Sequence, residues 1–118
     1  MTEPGKIFDL EERTLKFAKD SIAFSKTLMR TLANQEIAKQ FIRSSGSVGA
    51  NYIEASEALS KKDFAMRIKI CRKEAKETRY WLNLMECAEN ARPQQAALIQ
   101  ESTELMRIFG AIIEKVKV

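Results

Sequence analysis

The spacing most suggestive of chemistry in this sequence is that of four glutamate pairs, each three residues apart: Glu54/Glu57, Glu74/Glu77, Glu86/Glu89 and Glu101/Glu104. Residues three apart share one helix face, so each pair could place two carboxylates on a metal ion. Di-iron helical bundles, however, combine such glutamates with histidines, and this sequence has no histidine. We therefore interpret the pairs as surface charges and predict no metal site.

The lack of histidine also excludes several kinds of active site. Ser-His and Cys-His nucleophilic pairs and histidine-ligated zinc are ruled out, and two cysteines cannot form a structural zinc site alone. Gly46 and Gly49 are not followed by the Gly-Lys pair of a phosphate-binding loop. We predict that the protein is not an enzyme and needs no cofactor.

Basic residues are concentrated in one segment. The net charge is +4, and residues 60–90 hold eight basic and five acidic residues. On a helix, six of these basic side chains share an arc of roughly 120° that contains no acid between positions 62 and 79: Lys62, Lys69, Arg72, Lys73, Lys76 and Arg79. Such a ridge can follow a phosphate backbone, so we predict binding of RNA or DNA through Lys69, Arg72, Lys73 and Lys76. The alternative is a solvated face with Glu/Lys pairing.

The same segment carries apolar residues in two directions. One stripe is typical of a core and comprises Phe64, Ile68, Cys71, Ala75, Thr78, Leu82 and Met85. A second face holds Met66, Ile70, Trp81 and Leu84, with Tyr80 beside it. Because exposed apolar clusters mark interaction surfaces, we predict that these four residues form a homo-oligomer interface. The alternative is a wide core that takes in Trp81 and Ile70.

A polar stripe follows the edge of the second predicted helix: Arg43, Ser47, Asn51 and Glu54. Half-buried polar groups need hydrogen-bond partners, and we expect Arg72 or Arg79 to provide them. We interpret the stripe, together with Glu77 and Arg79 of the third predicted helix, as a seam that fixes helix register, with a ligand-contacting site as the alternative.

Four helices are expected to position these residues, because helix-start signals occur at Asp9, Asn34, Ser60 and Pro93. The predicted helices span residues 10–32, 35–58, 61–90 and 94–116. With 118 residues and short connections, they predict one domain over residues 1–118: an all-α, antiparallel, up-down-up-down four-helix bundle.

The predicted core follows from helical spacing in the other three helices. The first helix should bury Leu15, Ala18, Ile22, Ser25, Met29 and Leu32, beside a neighbouring stripe of Leu10, Phe17 and Phe24. The second should bury Ile37, Phe41, Ser45, Val48, Tyr52, Ala55 and Leu59, and the fourth Leu98, Ser102, Leu105, Phe109, Ile112 and Val116. The second helix contains Gly46 and Gly49, which we attribute to close approach of a neighbouring helix. The alternative is a broken helix.

The cellular compartment is predicted from what the sequence lacks. It has no apolar run long enough to span a membrane and no apolar signal core near Met1. Cys71 and Cys87, sixteen positions apart on one predicted helix, are interpreted as small buried side chains in a reducing cytosol. We therefore expect a cytoplasmic protein with no membrane partner.

Two sequence strings resemble those of the bacterial four helix bundle protein family, which includes proteins encoded by intervening sequences in 23S ribosomal RNA genes. The first is S-V-x-A-N-x-x-E over residues 47–54, and the second is K-E-A-x-E-T-R-Y-W-L over residues 73–82. The resemblance extends over residues 10–116. One departure is that Ser56 and Glu57 follow Ala55, where the family often has a glycine, which leaves the end of the second helix less well defined.

The resemblance implies a closed bundle, a ring-shaped homo-oligomer, typically a pentamer, and an association with ribosomal RNA based on gene location. It also implies kinship with the accessory variability proteins of diversity-generating retroelements, which are basic pentamers that engage nucleic acid and a reverse transcriptase. The positions that match the family strings are Ser47, Asn51, Glu54, Glu77, Arg79 and Trp81. A competing function is a protein–protein adaptor or structural assembly factor that does not bind nucleic acid.

Overall fold

In a computed structural model, which describes residues 9–116, the chain forms four α-helices: α1 (Leu10–Ser25), α2 (Leu32–Ser56), α3 (Lys61–Leu84) and α4 (Arg92–Val116). One 3₁₀ turn, Glu89–Ala91, precedes α4. There is no β-strand between residues 9 and 116. None of the helices in this range combines the length and apolar character needed to cross a bilayer. The predicted all-α four-helix bundle is confirmed.

Side-chain contacts define how neighbouring helices pair. Hydrogen bonds between three residue pairs join α2 to α3 and the segment after it: Asn34 with Glu86, Ser44 with Thr78, and Asn51 with Arg67. Residue numbers rise along α2 as they fall along α3, so the two helices run in opposite directions. The same holds for α3 and α4, where Arg79 contacts Thr103 and Arg72 lies against Gly110.

The helix starts are only partly those predicted. Asp9 accepts a hydrogen bond from the Glu12 N–H at 3.3 Å, and Ser60 caps α3 as expected. The expectation that Asn34 caps α2 is wrong, because the Thr31 hydroxyl fills that role at 3.0 Å from the Asn34 N–H. Asn34 is buried instead, where its amide can serve several backbone groups at once.

Two helices end earlier than predicted, α1 at Ser25 rather than 32 and α3 at Leu84 rather than 90. At the end of α1, the Thr27 hydroxyl donates to the Phe24 carbonyl at 2.8 Å. At the end of α3, the Gln95 side chain donates to the Leu82 carbonyl at 2.8 Å. Side chains thus satisfy carbonyls that a longer helix would have bonded. Consequently Cys87 lies in the connection after α3 and not on the helix that holds Cys71.

The core contains the predicted stripe of α3 and most of those of α2 and α4, since Val116 is only half-buried. The main stripe predicted for α1 is wrong. Leu10, Phe17 and Phe24 are buried, whereas Leu15 and Ile22 are 52% and 42% exposed. Burying the phenylalanine stripe removes more apolar surface from water. Met29 and Leu32, on the same predicted stripe, and Leu59 of the predicted α2 core are exposed as well, and they lie at or beyond helix ends.

Helix α2 runs without a break through both glycines, so the broken-helix alternative is excluded. A Cβ atom on Gly49 would lie 2.9 Å from Thr14 Oγ1, which confirms close approach of α1 at that position. A Cβ atom on Gly46 would have no neighbour within 4 Å. The expected close approach is therefore wrong for Gly46 within a single chain.

Candidate nucleic-acid interface

The three lysines of the predicted ridge nearest its centre, Lys69, Lys73 and Lys76, are all exposed on α3. None of them forms an ion pair with a residue in the range 9–116, where the ion pairs involve Arg13, Lys16 and Lys39. The Glu/Lys pairing of the alternative is therefore not seen for these three lysines, which lie on a solvated face. Unpaired cations at a solvated surface are available to phosphate groups.

The arginines of the ridge lie towards α4. Arg79 Nη1 donates to Thr103 Oγ1 at 3.2 Å, and Arg72 Nε lies 3.6 Å from the position of a Cβ on Gly110. Arg107 is exposed on α4 about one turn from both Thr103 and Gly110. Basic side chains thus extend from α3 onto α4. We call this surface the basic face, and it comprises Lys69, Arg72, Lys73, Lys76, Arg79 and Arg107.

The predicted polar seam is only partly assembled. Asn51 accepts a hydrogen bond from Arg67 Nη1 at 3.1 Å and donates to the Ser47 carbonyl at 2.9 Å, which links α2 to α3. The expected partners Arg72 and Arg79 are wrong, because both lie on the α4 side of α3.

Other members of the seam lie elsewhere. Arg43 and Glu54 are exposed, and Glu77 accepts a hydrogen bond from Trp81 Nε1 at 3.0 Å within α3. The structure thus brings together Ser47, Asn51 and Arg67, of which sequence analysis missed Arg67. Its position could have been found from the α2–α3 register, in which Asn51 and Arg67 are level.

The second apolar face of α3 is divided in the single chain. Met66 and Leu84 are 49% and 46% exposed, whereas Ile70 and Trp81 are half-buried. Trp81 packs against the chain's own core, so its truncation would perturb the bundle as well as any interface. The oligomer interface stays a prediction, and Met66 and Leu84 are the residues best placed to probe it.

Sequence analysis missed a second apolar surface, which lies between α1 and α2. Leu15 and Ile22 of α1 are exposed there, together with Ile42 and Ile53 of α2. Leu15 and Ile53 line a groove of about 290 Å³ together with Glu11, Thr14, Ala18, Gly46, Gly49 and Ala50. Ile22 and Ile42 lie one helical turn beyond Ala18 and Gly46. Its signal in the sequence is the spacing of Leu15, Ala18 and Ile22, a stripe that the sequence analysis predicts to be buried.

Acidic side chains are tied together on the side where α1 meets α4. Arg13 Nε lies 2.6 Å from Glu101 Oε2, and Arg13 Nη2 lies 2.9 Å from Glu104 Oε1. These hydrogen bonds raise the pKa of Arg13, and hydrogen bonds from Gln100 and then Arg13 lower the pKa of Glu104. Beneath them is a cleft of about 640 Å³ over Phe17 and Leu98.

Acidic side chains and thiols in the described part of the chain are the remaining groups that could do chemistry. Between residues 9 and 116 no three His, Cys, Asp or Glu side chains are close enough to hold a metal ion. Burial raises the pKa of the Cys71 thiol to about 12, which keeps it protonated.

The interpretation of all glutamate pairs as surface charges is wrong for Glu74, which is buried with its Oε1 lacking a hydrogen-bond partner in this range.

These features place the chain among the all-α four-helix-bundle proteins. Within that class, the chain belongs to the 23S rRNA-intervening sequence protein family, whose model matches residues 8–111. It is similar to a solved protein of unknown function from the S23 ribosomal protein family of Bacteroides thetaiotaomicron VPI-5482. The sequence identity is 32% over 92% of this chain and 98% of that one, with a TM-score of 0.74. No curated protein matches the sequence.

Proposed function

We propose that this protein is a non-enzymatic homo-oligomer that binds nucleic acid through its basic face. The observation that carries the proposal is that the cations of α3 lack ion-pair partners in the described range, and that Arg72 and Arg79 contact α4 about one turn from Arg107. Membership of a family named for intervening sequences of 23S rRNA supports RNA as the first nucleic acid to test. An RNA-binding role also agrees with the expected cytoplasmic location.

The chemistry of the basic face favours phosphate contacts over base recognition. Lysine ammonium groups act as point charges that neutralise phosphates and release counterions, so affinity falls steeply as salt rises. Phosphate contacts position a protein on nucleic acid without reading its sequence. We therefore expect binding of low sequence specificity.

Self-assembly would strengthen such binding. One basic face offers few phosphate contacts, but several faces on a ring would engage one strand with a high effective concentration. Met66, Ile70, Trp81 and Leu84 are the proposed subunit contacts, and a pentamer is the subunit number that the family resemblance suggests. A ring of this kind would place one basic face on each subunit.

The deciding experiment measures affinity for RNA and DNA over a salt series, beginning at about 50 mM. The variant Lys73→Gln should weaken binding and reduce the salt dependence. Its matched control is Lys39→Gln, which removes an exposed lysine on α2 that lies 3.5 Å from Glu36. Absence of binding at low salt, or equal effects of the two variants, would contradict the proposal.

A protein–protein adaptor is the second candidate, and the apolar groove between α1 and α2 is the observation that favours it. In that case the basic face would serve only solubility. An affinity capture that recovers a defined protein partner after nuclease treatment would support the adaptor function. The partner should be lost in an Ile53→Glu variant, because Ile53 lines the groove and is exposed.

A further inference from the structure

We infer that the basic face prefers single-stranded over double-stranded nucleic acid, because Tyr80 presents an exposed ring on which an unpaired base can stack. The inference rests on the proposed nucleic-acid binding and specifies its substrate class. It depends on three observations: the position of Tyr80 along α3, the exposure of its ring, and the contacts that hold the ring in place.

Tyr80 continues the line of exposed lysines on α3. Lys69, Lys73, Lys76 and Tyr80 follow one another at spacings of four, three and four residues, which places them within an arc of about 60° on the helix. The axial distance from Lys69 to Tyr80 is about 16 Å. A strand whose phosphates lie along the three lysines would therefore bring its bases near the ring.

The ring of Tyr80 is accessible. Tyr80 is 58% exposed, and it is the one exposed aromatic residue between residues 9 and 116. Every base has a flat π-face, so an exposed aromatic ring beside cationic side chains binds unpaired bases with little dependence on sequence.

The ring is also held in place. Its centroid lies 5.0 Å from that of Trp81 at an interplanar angle of 69°, an edge-to-face arrangement. Trp81 is in turn half-buried, packs on the core, and donates its indole N–H to Glu77 Oε2 at 3.0 Å. A ring fixed in this way loses little conformational freedom when a base stacks on it.

Stacking on Tyr80 discriminates between the two forms of nucleic acid. In a duplex the bases are already stacked inside and present only their edges, whereas an unpaired base can turn its face to a protein ring. The lysines contact phosphates in either form. The preference for single strands should therefore depend on Tyr80, and the salt dependence on the lysines.

The test titrates the full-length protein into fluorescently labelled RNA of one sequence, prepared as a single strand, as a duplex, and as a single strand with abasic positions. Fluorescence anisotropy reports affinity at about 50 mM salt. We expect Tyr80→Ala to lower single-strand affinity by roughly 5- to 150-fold and to leave duplex affinity unchanged. Tyr80→Phe should retain binding, and Lys73→Gln should weaken binding to both forms.

Each outcome distinguishes the inference from the proposed function. The stacking inference is overturned, and nucleic-acid binding stands, if two results occur together. The first is that Tyr80→Ala binds as tightly as the unmodified protein and the abasic strand as tightly as the intact strand. The second is that Lys73→Gln binds weakly. Equal affinity for single strand and duplex would overturn the inference as well. So would a fall in the mass of the oligomer on Tyr80→Ala, which would assign Tyr80 to a subunit interface. If the unmodified protein binds neither these RNAs nor DNA of the same sequence, the proposed function itself fails.

Discussion

Replacing each of the two glycines of α2 by alanine tests how closely α1 approaches α2. The two positions lie three residues apart in one helix, so Gly46→Ala and Gly49→Ala should gain the same intrinsic helix stability, about 1 kcal/mol. They differ in surroundings: a new Cβ at position 46 meets nothing within 4 Å, but at position 49 it would lie 2.9 Å from Thr14 Oγ1. We expect Gly46→Ala to stabilise the fold by about 1 kcal/mol.

The Gly49→Ala variant should be destabilised. Thr14 is 1% exposed and its hydroxyl donates to the Leu10 carbonyl at 2.7 Å, so the side chain cannot turn away freely. Overpacking of this kind costs about 1–3 kcal/mol. Alanine's higher helix propensity offsets part of this cost, so the free energy of unfolding should fall by up to about 2 kcal/mol. The two variants should then differ by about 1–3 kcal/mol.

Urea unfolding followed by far-UV circular dichroism, at one fixed protein concentration, measures both free energies of unfolding. In a Thr14→Ala background, which lacks the Oγ1 atom, the penalty of Gly49→Ala should shrink, and a double-mutant cycle measures this coupling. The reasoning is refuted if Gly49→Ala stabilises as much as Gly46→Ala. It is also refuted if the Thr14→Ala background leaves the difference unchanged.

Three further predictions concern the surface, the thiols and the acidic side. Met66→Glu and Leu84→Glu should each lower the solution mass towards that of one chain without loss of helix, because both residues are exposed. Light scattering measures the mass, and an unchanged mass would contradict the proposed interface. Thiol labelling at about pH 8 should modify Cys87 before Cys71, because a pKa of about 12 leaves roughly one Cys71 thiol in ten thousand ionised; a Cys87→Ser variant that still labels rapidly would argue against this. Since the pKa of Glu104 is lowered in the fold, its contribution to stability is present above the ordinary carboxyl pKa and is lost as the pH falls through the folded-state pKa. Urea midpoints of Glu104→Gln should therefore fall less on acidification than those of the unmodified protein, and parallel curves would count against the prediction.

Helical spacing alone identified the core wherever one apolar stripe clearly dominated. The stripe of α3 through Ile68, Cys71 and Leu82 is buried as predicted. In α1 two stripes competed, and the choice depended on which face α2 and α4 would cover. That choice is made by tertiary packing, so periodicity within α1 could not decide it.

Helix ends were harder to predict, because they depend on side chains from distant segments. Gln95, on α4 and thirteen residues away, helps to end α3 because its side-chain amide donates to the Leu82 carbonyl. The sequence favours Asn34 over Thr31 as the cap of α2, because asparagine is generally preferred to threonine at the N-cap position. The burial of Asn34 against the far end of α3 could not be known before α2 and α3 were placed together.

The candidate interface was predictable where it lies on a single helix. Lys69, Lys73 and Lys76 share one face through helix geometry alone. The extension onto α4 through Arg107 requires the pairing of α3 with α4. Likewise, the role inferred for Tyr80 depends on the restraint by Trp81, which the sequence places next to it but does not orient.

Asn34 links two separate turns at one end of the bundle. Its side-chain amide donates to the Met29 carbonyl at 2.9 Å and the Glu86 carbonyl at 2.8 Å, and its carbonyl accepts from the Glu86 N–H at 3.2 Å. If either turn moved away, the buried Asn34 amide would lose a hydrogen-bond partner, which is energetically costly. One side-chain amide thus joins the α1–α2 and α3–α4 hairpins, and we expect that end of the molecule to open as a cooperative unit.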